Sequence, residues 1–386
     1  MTARSRFAVD LRLLDSEPGL ATLAALAAPP RPAVRACLPR MLTVFAVLVA
    51  AASSPAFADN LTIHDLGTLP GGPNSFATAI NNRGQVVGYS NYSVTSAAII
   101  PFSPPHRLFH AFVVDKGVMT DLGALPGSTS SRASAINERG QIVGFSATRG
   151  FIGPPHAFVY DKGVMTDLGT LPGGLGSQAT GIDNRGQIIG TADPASGSPH
   201  AFLFHNGVMS DLGTLPGGDS SEATGIDSRG RVVGYSTIVT GAPHTTHAFS
   251  FDNGVMADLG TLPGGTFSQA MATNNNGQVV GYADNASGEQ HAFLYRQGQM
   301  IDLGTLPGGT YSVAMGINDK GDIVGVSDNA EPANHAFLYS NGVMQDLGTL
   351  TGGGFSEALG INEKGDVVGD ALTSNGKFHA VLWTRH

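Results

Sequence analysis

Short runs of small and β-branched residues and short continuous apolar runs follow one another along the chain after residue 60, separated by glycine turns. From Ser312 the run Ser-Val-Ala-Met-Gly-Ile-Asn is followed by Asp-Lys-Gly-Asp and then by Ile-Val-Gly-Val. The first run is small and β-branched, the second is apolar throughout, and the glycine between them can take the positive φ of a tight hairpin. This predicts two antiparallel strands. A variable segment follows, then His291-Ala-Phe-Leu-Tyr, a second glycine turn and Met300-Ile-Asp-Leu-Gly, which predicts a second hairpin. No 3.6-residue apolar spacing of any length occurs after residue 60, so the body is expected to be almost entirely β.

The four-strand unit recurs. Asp65-Leu-Gly-Thr-Leu-Pro-Gly-Gly returns with small changes at Asp121, Asp167, Asp211, Asp258, Asp302 and Asp346, at spacings of 56, 46, 44, 47, 44 and 44 residues. Four short strands per unit, repeated radially, match the blade of a β-propeller. An open solenoid would need atypical polar capping repeats, yet the last unit keeps Ser356, Ala358, Gly360, Asn362, His379 and Ala380. The ends of the body are complementary as well. It opens with Leu61-Thr-Ile-His-Asp-Leu-Gly, a fourth strand without a third, and closes with His379-Ala-Val-Leu-Trp, a third strand without a fourth. Their pairing predicts an all-β, seven-bladed propeller of four-stranded repeats over residues 59–386, closed without free edges at the termini. The Ser-Ala-Gly-Ile-Asn strand is expected innermost and the Asp-Leu-Gly strand outermost, since small residues suit the crowded axis.

Composition narrows the function classes. The net charge is −9; six of the 21 basic and three of the 30 acidic residues lie in 1–58, so the remainder carries −12. Phosphate recognition needs clustered Lys and Arg, which are absent, and a nucleic-acid partner is therefore excluded. The single cysteine, Cys37, precludes a disulfide within the chain.

Residues 42–52 form a short apolar run preceded by Arg35 and Arg40 and followed by Ala56-Phe-Ala58. This is the layout of a secretory signal with cleavage after Ala58, so 1–58 is expected to be leader and signal peptide, with translation starting at Met41 or the first forty residues disordered. The run is shorter than the ~20 residues needed to span a bilayer, and no stable membrane span is expected in the mature chain. The expected localisation is secreted or periplasmic, with the extracellular side favoured.

His-Ala-Phe, Asp-Leu-Gly-Thr-Leu-Pro-Gly-Gly and Gly-Ile-Asn-x-x-Gly-x-Val-Val-Gly together resemble the HAF-family repeats, described as extracellular repeats of bacterial proteins, over roughly residues 61–386. The resemblance implies a secreted repeat protein and assigns no reaction. Departures are confined to single repeats: Ala124 and Ser128, Thr351, Ala272 with Thr273, and Val381 in place of the phenylalanine.

Up-and-down topology places the start of strand one, the start of strand three and the end of strand four on one rim. Ser75, Ser131, Ser177, Ser221, Ser268, Ser312 and Ser356 therefore meet His110, His156, His200, His247, His291, His335 and His379 and the seven repeated aspartates there. Nucleophile, base and orienter are the residue types of a hydrolytic triad. A catalytic trio is needed once, however, and a group present in every blade reads as a structural hydrogen-bond network, similar to that of WD-repeat propellers. No serine-hydrolase elbow, zinc-protease motif, phosphate loop or cysteine metal site is present, so no catalytic, cofactor or metal residues are assigned. Asp193, Asp284, Asp328 and Asn285, with Asp370 at the corresponding point of the last unit, offer oxygen ligands that calcium could use, and solvated turns account for them equally.

The segments 91–109, 147–155, 192–199, 237–246, 283–290, 327–334 and 371–378 vary and project from one face, the place where recognition usually sits on a rigid scaffold. The longest carries Ile99, Ile100, Phe102, Pro104 and Pro105, apolar enough to engage a partner. The opposite face reads as bland. The leading expectation is a binding or scaffold module for a glycan, protein or surface component. A glycan-acting hydrolase or lyase, using singular residues such as Arg132, Glu222 and Glu357, is one alternative, and a structural surface or matrix protein is another.

Overall fold

A computed structural model describes residues 61–92, 108–147, 153–195, 197–240, 242–331 and 333–385. The leader and the partner-loop residues Ile99, Ile100, Phe102, Pro104 and Pro105 lie outside the described residues.

Strand β1 (Leu61–Asp65) belongs to the last blade. Blade 1 comprises β2 (Ser75–Ile80), β3 (Val86–Asn91), β4 (Phe109–Asp115) and β5 (Val118–Asp121). Blade 2 follows with β6 (Ser130–Ile136), β7 (Ile142–Ala147), β8 (His156–Asp161) and β9 (Val164–Asp167). Blade 3 contains β10 (Ser177–Ile182), β11 (Ile188–Ala192), β12 (His200–His205) and β13 (Val208–Asp211). Blade 4 contains β14 (Ser221–Ile226), β15 (Val232–Thr240), β16 (Ala242–Asp252) and β17 (Val255–Asp258). Blade 5 contains β18 (Ser268–Thr273), β19 (Val279–Asp284), β20 (Gln290–Arg296) and β21 (Gln299–Asp302). Blade 6 contains β22 (Ser312–Ile317), β23 (Ile323–Asp328), β24 (Asn334–Ser340) and β25 (Val343–Asp346). Blade 7 joins β26 (Ser356–Ile361), β27 (Val367–Leu372) and β28 (Phe378–Arg385) to β1.

All seven sheets are four-stranded and antiparallel, and the ring closes as the sequence predicts: Leu61 pairs with Arg385 and Asp65 with Val381. The first strands meet one another around the ring, β2 touching both β6 and β26. The fold is thus an all-β, seven-bladed propeller closed by its first and last strands.

The core is divided into seven clusters, one at each junction between blades. Six are anchored by the phenylalanine of His-Ala-Phe, for example Phe112, Phe158 and Phe249, each fully buried and contributing about 1.5–3 kcal/mol of transfer free energy. In the seventh, Val381 is too small, and Trp383, two residues along β28 on the same face, fills the space at 0% exposure and donates its indole N–H to the Leu347 carbonyl.

Every inner hairpin carries a bulge, and it lies within the first strand. Register shifts between Ala77 and Ala79 in blade 1 and at the matching place in each blade. The bulged residue is free to bond the next blade: the Thr78 hydroxyl donates to the Ala133 carbonyl (3.0 Å) and that of Thr224 to Ala270 (2.9 Å). The bulge also pushes strand one against strand two, so a Cβ at Gly234 or Gly369 would collide with the carbonyl of Glu222 or Glu357. This explains the invariant glycine of Val-Val-Gly.

Segment 237–246, expected as a variable loop, is instead largely an extension of β15 and β16, with Thr237 opposite Thr246 and Ile238 opposite Thr245. Its β-branched run favours a ladder over a loop.

Candidate functional site

The rim residues divide into two interactions. In each blade the histidine Nδ1 donates to the Asp-Leu-Gly aspartate, as in His110 to Asp121 (2.9 Å), His156 to Asp167 (2.8 Å) and His335 to Asp346 (2.7 Å). His379 does the same to Asp65 (2.8 Å), across the closure. The aspartate's other bond comes from the backbone N–H two residues on, which fixes the loop. Serine takes no part in that pair. The Ser131 hydroxyl accepts from the Ala111 N–H (2.8 Å) and donates to the Gly123 carbonyl (2.5 Å), tying strand one of blade 2 to strands three and four of blade 1. Ser75 links blade 1 to Ala380 and Gly67 in the same way.

The serines are buried, whereas the rim aspartates are 39–46% exposed, so the network is buried on its serine side only. The exposed pairs contribute little beyond orientation. For Asp121 and Asp258, partial burial pushes the carboxyl up, but the histidine bond and the backbone N–H of Gly123 or Gly260 outweigh it and hold both below the usual value.

The face expected to be bland has a girdle of its own. The carboxamide oxygen of Asn137 accepts from the N–H groups of Arg139 and Gln141, and its amide donates to the Asp183 carbonyl of the next blade (3.0 Å). Asn362 bonds the Asn81 carbonyl across the closure (3.3 Å). Asp227 cannot donate, and Arg231 does so in its place, reaching Asp227 (2.9 Å) and the Asn274 carbonyl (3.4 Å). The signal was legible in the repeated Ile-Asn, but it specifies framework.

The repeated residues bond one another and the backbone around the ring, and one register of the described strands instead differs from blade to blade. The residue after each rim serine and its partner on strand two form seven pairs: Phe76–Tyr89, Arg132–Phe145, Gln178–Thr191, Glu222–Tyr235, Gln269–Tyr282, Val313–Val326 and Glu357–Asp370. Strand two leads into the variable segments, so this belt lies one residue inside their face. Between blades 7 and 1 it is aromatic: Phe76 stacks on Tyr89 (4.9 Å) and Phe378 (5.9 Å), and Phe378 meets Phe355 edge-on (5.5 Å). The Arg132 guanidinium lies over Tyr89 (4.6 Å) and Phe109 (5.0 Å), a cation–π arrangement.

The acids of the belt are in different situations. The Tyr235 hydroxyl donates to Glu222 (2.5 Å), while Tyr282 donates to Gln269 (2.7 Å). Burial pushes the Glu222 carboxyl up in spite of its bond, and burial and the nearby Glu222 push Tyr235 well up. Asp370 is 0% exposed, and no N–H or neutral hydroxyl donor reaches its carboxyl oxygens, whose hydrogen-bond partner is the Glu357 carboxyl. Burial, then the adjacent Glu357, push its carboxyl well up, and burial raises Glu357 too. Adjacent desolvated carboxyls disfavour the doubly ionised state, which favours a proton held between the two acids.

Asp370 does not correspond to Asp284 and Asp328, as the sequence reading had it. It aligns with Tyr282 and Val326, two residues earlier in strand two, and Leu372 takes the later place. Asp284 and Asp328 are loop caps: Asp284 accepts from the N–H groups of Thr266 and Phe267, Asp328 from those of Thr310 and Tyr311. Among the described residues no group of three or more His, Cys, Asp or Glu is placed to hold a metal ion. A polar cleft of about 400 Å³ lies at the closure, lined by Asp65, His379, Thr373 and Lys377 among others. None of the belt residues lines it. Among the described residues no helix is long and apolar enough to cross a membrane.

Comparison with solved structures places the chain in the β-propeller class. It matches the β-propeller domain of the Trilobed protease from Pyrococcus furiosus with a TM-score of 0.54 at 9% identity, covering 80% of this chain and 95% of that one. That domain is described as having an open velcro topology, whereas β1 and β28 pair here. A puromycin-hydrolyzing peptidase of Mycobacterium tuberculosis matches with a TM-score of 0.50 at 11% identity over 80% of this chain and 51% of the other. A puromycin hydrolase variant complexed with PGG gives 0.51 at 12% identity, over 79% and 51%. The chain thus spans about half the length of these two hydrolases, and the likeness at such identities is one of fold. No family profile matches the chain, and no curated protein does.

Proposed function

We propose that the chain is an exported binding protein that presents the variable-segment face of its propeller to a glycan, protein or surface component. In this reading the ligand is seated over the belt. The observation that carries it is the contrast between seven near-identical frames and one register at which no two blades carry the same pair. A scaffold alone has no use for a guanidinium over two rings or for acids given unlike partners at equivalent positions. The likeness of the repeats to the HAF type, and the signal-like segment before residue 59, support export.

A glycan array and pull-down with the purified protein test this reading. Specific capture, weakened at least about tenfold by Arg132→Ala, is the expected result. Capture that is indifferent to belt substitutions, or no capture at all, overturns it. The partly buried acids Glu222 and Glu357 favour a second reading, a glycan-acting hydrolase or lyase, which turnover without stable capture would support.

A further inference from the structure

At the belt register of blade 7, two acids face each other where blades 4 and 5 put a tyrosine opposite the acid or amide. Asp370 is wholly buried with no N–H or neutral hydroxyl donor on its oxygens and the Glu357 carboxyl as its partner, while Glu357 retains partial exposure. Side chains in register share a face, and so do positions two apart along a strand. Asp370 is opposite Glu357 on one side and Ala380 on the other, and Phe378 is two residues from Ala380. Phe355 is two residues from Glu357 and touches Phe378, which in turn stacks on Phe76 of blade 1. The register thus sets the two acids beside an aromatic group, with Phe378 on the variable-segment side of Asp370 and Phe76 of the next blade at the position equivalent to Glu357.

We propose that this hairpin binds a primary ammonium group carried on an apolar or aromatic stem, the ammonium on Glu357 and Asp370 and the stem against Phe355, Phe378 and Phe76. The inference deepens the binding reading given above and rests on it. An ammonium supplies N–H donors to two carboxyls that otherwise have each other, and its charge takes the place of a proton as the counter to two carboxylates. The rings add the attraction of aromatic faces for cations. Two carboxylates are few for calcium, which takes 6–8 oxygen ligands, whereas a group of phenylalanines suits an organic stem. Binding releases the proton held between the acids, so protons compete with the ligand. Other titratable groups near the pair are Tyr311, on the blade 6 side of Glu357, and His379 on β28, which is engaged by Asp65.

Titration calorimetry with benzylammonium chloride on the purified protein tests the proposal, with benzyl alcohol as the neutral isostere. Saturable binding with Kd below about 1 mM at pH 8, at least about tenfold weaker for Glu357→Gln and for Asp370→Asn, supports it. Weaker binding at pH 5, with proton uptake by buffer at pH 8, is expected alongside. Failure to saturate below that concentration, equal binding of the alcohol, or undiminished binding in both variants overturns it. So does calcium chloride binding in place of the amine. Thermal melting of each variant separates lost binding from lost fold. Glycan or protein capture that survives both substitutions while the amine fails to bind would leave the loop-face reading standing and remove only this site.

Discussion

Glu222 and Glu357 occupy equivalent positions in blades 4 and 7, on backbones that repeat the same bulge and the same close-packed glycine. One faces a tyrosine that donates to it, and the other faces a second acid. The frame is indifferent to the difference because the bonds that both blades share run through serine hydroxyls and the turn Asp or Asn, away from this register. The comparison shows how a repeat can keep its architecture constant and still vary its chemistry blade by blade.

The largest expected effect breaks both sides of the comparison at once. Gly234→Ala and Gly369→Ala force a methyl group into the facing carbonyl, and each should cost more than about 4 kcal/mol in denaturant unfolding. Equal, small losses would show that the bulge relaxes. Next, Tyr235→Phe and Asp370→Asn should act in opposite directions. The first leaves the Glu222 carboxyl without its donor and costs about 1–3 kcal/mol. The second relieves the acid pair and stabilises by about 1–3 kcal/mol at pH 8.

Their pH dependence sharpens the contrast. Folded-state values of Glu222, Glu357 and Asp370 are raised, so the stability these groups contribute is complete below about pH 4 and declines as pH rises through the folded values. Asp370→Asn should flatten that decline, as read from melting temperature between pH 5 and 8. For Asp121 and Asp258 the folded values are lowered, so their contribution is present above about pH 4 and is lost on acidification. The smallest effect is at the rim. With the aspartate of each pair partly exposed, His200→Ala should cost only about 0.2–1 kcal/mol, whereas Ser221→Ala, which strands the buried Ala201 N–H, should cost about 1–3 kcal/mol in the same assay.

The framework was legible in the sequence because each of its contacts is written seven times: strand order, closure, turn glycines and the His–Asp pairing all follow from periodicity. The separation of serine from that pair was not legible, since residue types give no direction to a hydroxyl. The belt was hidden for the opposite reason. Its positions share no residue type, and Arg132, Glu222 and Glu357 gain meaning only with their cross-strand partners. Asp370 was aligned with the loop aspartates, a displacement of two residues that preserves the face and so leaves no trace in the apolar pattern. The Trp383 compensation for Val381 likewise depends on volume shared between two positions of β28.

Blade 7 alone is assembled from the first and the last strand, and among the described residues it alone pairs two acids at the belt register. A latch and an electrostatic burden therefore coincide. Unzipping of the ring should begin between β1 and β28, with the amides of that blade exchanging for deuterium ahead of those in blade 4, and sooner still in alkaline solution after allowance for the intrinsic exchange rate.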